Sequence, residues 1–116
     1  MRHRKKGKKL GRKIGPRKAL EKRLACALIL DEKITTTYEK AKFVRSRVER
    51  VITLAAKKSA VSKRKISSLI TNKAAEKKLF EKLGPKYKDR KGGYTRLLKL
   101  KERVGDGAFL VRLELV

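Results

Sequence analysis

Between Glu39 and Lys57, apolar residues recur at Ala41, Val44, Val48, Val51 and Ala55, in steps of three and four. That spacing keeps them on one stripe of a helix of about five turns. Lys40, Lys42, Arg45, Arg47, Arg50, Lys57 and Lys58 project elsewhere. Upstream, Gly15-Pro16 opens another helix, because proline's missing N–H would have no intrahelical partner at the first position. Leu20, Leu24, Ala27 and Leu28 carry that helix to about Asp31. Ile34 to Thr36 is short and β-branched, which predicts an edge strand. Thr36 and Glu39 match a capping box for the helix that follows.

Two further helices are predicted downstream. One starts at Ser62 and buries Ile66, Leu69 and Ile70. The next has Asn72 as its N-cap and buries Ala75, Leu79, Phe80 and Leu83. Gly84-Pro85 is expected to end it, with the glycine in a left-handed cap. From Tyr94 the period changes to two, with Leu98 and Leu100 on one face and Lys99, Lys101 and Arg103 on the other. Gly105-Asp106-Gly107 signals a hairpin turn. The chain returns with Phe109, Val111, Leu113 and Leu115 on one face. The predicted fold is α+β: about four helices packed on a small mixed sheet with a C-terminal β-hairpin, preceded by a basic extended N-terminal tail. The tail is assigned to residues 1–15 and a single α+β domain to residues 16–116.

Charge changes the picture from fold to partner. The 116 residues carry 36 Lys and Arg against 11 Asp and Glu, a net +25. The opening stretch "MRHRKKGKKLGRKIGPRKAL" holds ten of the cations and no acid. Without residues 1–18 the remainder still has 26 basic against 11 acidic residues, a net of +15. Ordinary soluble domains carry roughly 2 to 8 net charges. A solvated surface does not account for this excess, and a polyanion does. Nucleic acid is the first candidate and an anionic membrane the second. No apolar run approaches the ~18 residues of a membrane span. Arg17, Lys18, Lys22 and Arg23 crowd the first turns of a helix, near the positive end of its dipole. That is mildly unfavourable unless a phosphate binds there.

The sequence holds little for catalysis to use. His3 is the one histidine and lies in the tail. Asp31 and Glu32 are adjacent and cannot converge on a helix. Asp106 sits in a turn, where aspartate is common for backbone reasons. No catalytic residue, cofactor site or metal-ligand cluster is expected. Cys26, within "LACALIL", reads as a small buried hydrophobe in a reducing compartment. Phe43, Phe80 and Phe109 read as core. Tyr38, Tyr87 and Tyr94 are open between core and RNA contact. So few aromatics argue against a stacking platform for single strands. They suit a protein that reads folded RNA by phosphate and shape.

The stretches "MRHRKKGKKLGR", "ITTTYEKAK", "VITLA", "LFEKLGPKY" and "RKGGYTRLLKL", closing on "ELV", resemble the bacterial large-subunit ribosomal protein seventeen family. The likeness runs in order from Met1 to Val116, and "MRHR", "LGPKY" and "GGYTR" at these separations are its specific part. Phe43-Val44 departs from it, since the family more often has an acid followed by leucine there. Members can also run a few residues past Val116. The resemblance implies a structural constituent of the large ribosomal subunit that supports translation in the cytoplasmic ribosome. It implies binding to folded large-subunit rRNA near the nascent-chain exit region, beside neighbouring ribosomal proteins, with no membrane and no small-molecule substrate.

By the same resemblance, Arg2, His3, Arg4, Lys5 and Arg12 thread into rRNA. Arg90, Gly92, Gly93, Tyr94 and Arg96 match a glycine-tyrosine motif. Physically, two glycines would let the backbone approach phosphate closely, with Arg90 and Arg96 flanking. Lys6, Lys8, Lys9, Lys13, Arg17 and Lys18 join the RNA-binding set on charge. The tail is expected to be disordered alone and ordered on RNA. An architectural DNA-binding protein and a membrane-active cationic protein are the alternatives that charge alone would permit.

Overall fold

The computed structural model describes residues 12–57 and 59–116. Its centre is the helix α2, Tyr38–Lys57, preceded by α1, Ile14–Asp31, and the strand β1, Lys33–Thr37. Then come α3, Ala60–Leu69, and α4, Lys73–Lys78, which runs on through one wide π-helical turn, Leu79–Leu83, into the single turn α5, Gly84–Lys86. Strands β2, Thr95–Glu102, and β3, Phe109–Leu115, complete the chain. Helices and sheet share one core, as an α+β fold requires.

The stripe on α2 does what its spacing predicts. Ala41, Val44, Val48, Val51, Ile52 and Ala55 are all buried. They meet Leu28 and Ile29 of α1, Ile66 of α3, Leu79 and Leu83 of the wide turn, and Val111 and Leu113 of β3 in one cluster. Each such aliphatic side chain contributes about 1.5–3 kcal/mol when fully removed from water. Glu21 on α1 accepts from Arg47 on α2, adding an ion pair between the two helices.

The sheet has the order β1-β3-β2. It is antiparallel throughout, not mixed, because the hairpin's returning strand β3 also pairs antiparallel with β1, as in Ile34↔Leu113. β1 is the edge strand expected. Thr36, the threonine of the expected capping box, belongs to this strand and pairs with Val111. α2 therefore starts one residue later, at Tyr38, with Glu39 in its first turn. α1 likewise starts at Ile14, two residues inside the stretch assigned to the tail. α3 begins at Ala60, before the expected Ser62, because Ser59 caps it by accepting from the Ser62 N–H at 3.0 Å.

Two corrections concern β2 and β3. Leu98 and Leu100 do not form the core face. Thr95 turns inward, its hydroxyl accepting from Arg45 Nε at 3.0 Å and donating to Glu49 at 2.9 Å. Leu97 follows on the same side and pairs with Leu113, which puts Leu98 on the opposite face beside Arg112. The register then shifts between Lys99 and Lys101, leaving Leu100 as the extra residue of a bulge. Phe109 is not core either. It is 50% exposed, with the Lys99 ammonium 6.0 Å from its ring centre.

Asn72 caps α4 as expected, accepting from the Ala75 N–H at 3.1 Å. Gly84 does not terminate that helix. Its φ and ψ are −54° and −56°, right-handed helical, and its N–H donates to the Leu79 carbonyl across the wide turn. The glycine is needed for packing, since a Cβ there would lie 3.1 Å from the carbonyl oxygens of both Ala55 and Leu79. Gly84→Ala gains about 0.4–1 kcal/mol from the unfolded chain. It loses about 1–3 kcal/mol to overpacking against backbone that cannot swing aside. Net destabilisation of about 1 kcal/mol is expected on these two terms, read as a lower denaturant midpoint. A rise in midpoint would show that α2 yields at Ala55.

Candidate nucleic-acid interface

Between α5 and β2 the chain runs out and back through a basic loop whose two ends are tyrosines. Tyr87 and Tyr94 are each 2% exposed, and their rings pack 5.1 Å apart. The Tyr87 hydroxyl donates to the Val116 carbonyl at 2.6 Å. The Tyr94 hydroxyl donates to the Arg90 carbonyl at 3.0 Å and shares a hydrogen bond with the Thr53 hydroxyl at 3.1 Å. Val116 N–H closes the arrangement on the Tyr94 carbonyl at 2.9 Å. Both ends are thus built into the core, and the exposed cations Lys88, Arg90 and Lys91 stand out between them.

This placement separates the five motif residues. Arg90 is exposed and its backbone is held. Gly92 and Gly93 have φ of +139° and +62°, and a Cβ at either would meet nothing within 4 Å. Backbone conformation, not crowding inside the protein, is therefore what demands glycine here. Tyr94 has no ring face open to a ligand. Its buried side chain holds the Arg90 carbonyl in place. Arg96 lies on β2 and forks onto Glu114 across the sheet, with Nε at 2.8 Å, while its side chain stays 57% exposed. Its charge is partly answered within the protein. Lys88 and Lys91, outside the motif, are exposed in the same basic run between the two tyrosines and are candidates alongside Arg90.

A second group of cations stands where α1 begins. Arg12, Lys13 and Lys18 are exposed and Arg17 is half-buried. Lys13 is the N-cap but caps nothing with its side chain, and the first turn holds no acid. Free N–H groups and the positive end of the helix dipole therefore coincide with cations, an arrangement that suits an anion. Arg2, His3, Arg4, Lys5, Lys6, Lys8 and Lys9 lie outside the described residues, as does most of the tail assigned to 1–15.

The acids are largely used within the fold. Glu21, Glu32, Glu49 and Glu114 pair with Arg47, Lys78, Arg45 and Arg96. Asp106 pairs with Arg103 at the hairpin tip and also accepts from the Ala108 N–H at 3.2 Å. The Arg103 hydrogen bond, helped by that of Ala108, lowers the Asp106 carboxyl from 3.8 to about 2. A carboxyl whose pKa falls on folding favours the folded turn above its unfolded pKa, and that contribution disappears as pH falls toward 2. Arg103→Gln should move the Asp106 midpoint back toward 3.8 in an NMR titration; an unmoved midpoint would contradict the pairing.

Among the described residues there is no group of His, Cys, Asp and Glu able to hold a metal, and no helix long and apolar enough to cross a membrane. Residues 20–116 match the family model of ribosomal protein L17. A large ribosomal subunit protein bL17 from Natranaerobius thermophilus is 50% identical over 109 residues, covering 94% of this chain and 96% of its own length. The chain belongs to the ribosomal protein L17 family. The Thermomicrobium roseum protein of the same name is 43% identical, covering all of this chain and 99% of its own. That of Pelobacter propionicus is 44% identical, covering all of this chain and 91% of its own. As a member of the L17 family the chain is a structural ribosomal protein of the large subunit, not an enzyme. The basic loop and the start of α1 both lie in the stretch aligned with these relatives.

Proposed function

We propose that the protein binds and stabilises folded large-subunit rRNA in the cytoplasmic ribosome, through phosphate and shape contacts near the nascent-chain exit region, beside other ribosomal proteins. The observation that carries the reading is the basic loop held between Tyr87 and Tyr94. A loop ordered by its own core loses little entropy on binding, so its cations meet phosphates already in position. Arg90 supplies the forked donor that grips phosphate bidentately. The positive φ of Gly92 and Gly93 turns the backbone there without a side chain in the way. The first turn of α1 offers a second phosphate position, and the cations of residues 1–13 extend the contact. The place near the exit region is supported by the family likeness.

The test is binding of the full-length protein to large-subunit rRNA fragments and to duplex DNA of equal length, with co-sedimentation on large subunits through a sucrose gradient. Selective retention by rRNA and by large subunits is expected. Equal binding to DNA with no association with large subunits would favour an architectural DNA-binding protein.

A further inference from the structure

We infer that the concave face between α1 and α4 seats a strand of RNA, at a site separate from the basic loop and from the start of α1. The inference rests on the proposed reading of the protein as rRNA-binding. Two grooves, of about 490 and about 380 Å³, meet at Leu30 on this face. The first is walled by Lys22 and Arg23 of α1 and reaches Asn72; the second is walled by Lys77 of α4 and Lys82 of the wide turn that follows it. None of these four cations is engaged by an acid among the described residues, although Glu81 stands on the rim of the second groove. The Asn72 side-chain oxygen is occupied by the Ala75 N–H, which leaves its amide NH₂ to donate into the groove.

The walls are tied to each other. Lys78 of α4 donates to the Leu30 carbonyl of α1 at 2.9 Å and lies 3.8 Å from Glu32. The groove therefore exists before anything binds. Its floor is Leu30, 37% exposed, flanked by Ala27 and Ala74. Small side chains let a ribose-phosphate chain come close, with Lys22 and Arg23 along the first groove and Lys77 and Lys82 along the second to meet its phosphates. From Lys22 to Leu30 the helix rises about 12 Å at 1.5 Å per residue. Three to four stacked nucleotides, at about 3.4 Å each, cover that length.

The lining favours RNA over a protein partner. The buried centre of a protein interface is depleted in charge and built on aromatic anchors. Here the lining is cationic, and no aromatic residue contributes to either groove. Sequence pattern placed Lys22 and Arg23 only in the first turns of a helix and did not connect them with Lys77 or Lys82, because the two segments are about fifty residues apart in the chain and meet only in the fold.

The test uses full-length protein and protein-free large-subunit rRNA. Lysines are acetylated with and without the RNA, and protection is read by mass spectrometry. Protection of Lys22, Lys77 and Lys82 is expected, while Lys101 at the far hairpin stays reactive as an internal control. A Lys22→Ala, Arg23→Ala, Lys77→Ala, Lys82→Ala variant should keep the wild-type circular dichroism. Its dependence of log affinity on log salt should flatten by about 3, at roughly 0.7 to 0.9 per phosphate lost. Bound wild-type protein with the groove lysines fully reactive overturns the inference and leaves rRNA binding standing. Protection that appears only in assembled subunits, not on protein-free rRNA, assigns the groove to a protein neighbour and overturns it too. Failure of the wild type to bind rRNA at all overturns the proposed function itself and this site with it.

Discussion

Val48→Asp should abolish cooperative unfolding. Val48 lies mid-way along α2 with no exposed surface, among residues of both neighbouring helices and the sheet. The variant loses about 1.5–3 kcal/mol of apolar burial. It also places a carboxyl where no cation of the surrounding cluster can reach it, at a further cost of several kcal/mol. Domains of this size hold roughly 5–15 kcal/mol in total. Self-repulsion from a net charge of +25 leaves this one little in reserve. The result is read as a flat thermal scan in place of a sigmoidal one. Val48→Ala is the control. It removes apolar volume without charge, costs about 2 kcal/mol, and keeps a single cooperative transition at lower temperature. An unchanged melting curve for Val48→Asp would mean that the apolar stripe of α2 faces solvent.

Deleting residues 2–11 should flatten the salt dependence of rRNA binding more than any single substitution. The segment carries Arg2, Arg4, Lys5, Lys6, Lys8 and Lys9. If each neutralises one phosphate, log affinity falls with log salt by about 4 to 5 less in the deleted protein, at roughly 0.7 to 0.9 per phosphate. The difference in affinity is therefore large at low salt and shrinks as salt rises. The slope reports contacts made, whereas affinity at one salt concentration also contains the entropy of ordering the arm. Full-length and shortened proteins would be compared on one rRNA fragment across a salt series. Parallel lines would show that these six cations touch no phosphate and that the folded part binds alone.

Much of the fold was legible because its signals are local. The three-four spacing of Ala41 to Ala55, the cap at Asn72 and the Gly105-Asp106-Gly107 turn each depend on neighbours within a few residues. The errors fall where a local pattern had two solutions. In β2, Leu97 and Leu98 stand side by side, so alternation alone cannot say which faces the core. Thr95, held by Arg45 and Glu49 of α2, decides it. Gly84-Pro85 has the form of a helix stop, yet the closeness of Ala55 makes the glycine a packing residue within a continuing helix. Thr36 and Glu39 have the spacing of a capping box, and the pairing of Thr36 and Thr37 with β3 carries the sheet one residue further before α2 begins.

The candidate site divides in the same way. Sequence by itself determined the large excess of positive charge from which a polyanion partner is proposed, because net charge is a sum and needs no coordinates. It also determined the family, and the helix stripe and hairpin that build most of the core. Only the tertiary structure decided that Tyr94 is buried and holds the Arg90 carbonyl, that Arg96 shares its charge with Glu114, and that the groove lined by Lys22 and Arg23 meets the one lined by Lys77 and Lys82 at Leu30. The physical reason is range. Charge content and periodicity are written within a few residues, whereas which cation stays free and which tyrosine is buried depend on side chains that folding brings together from distant parts of the chain.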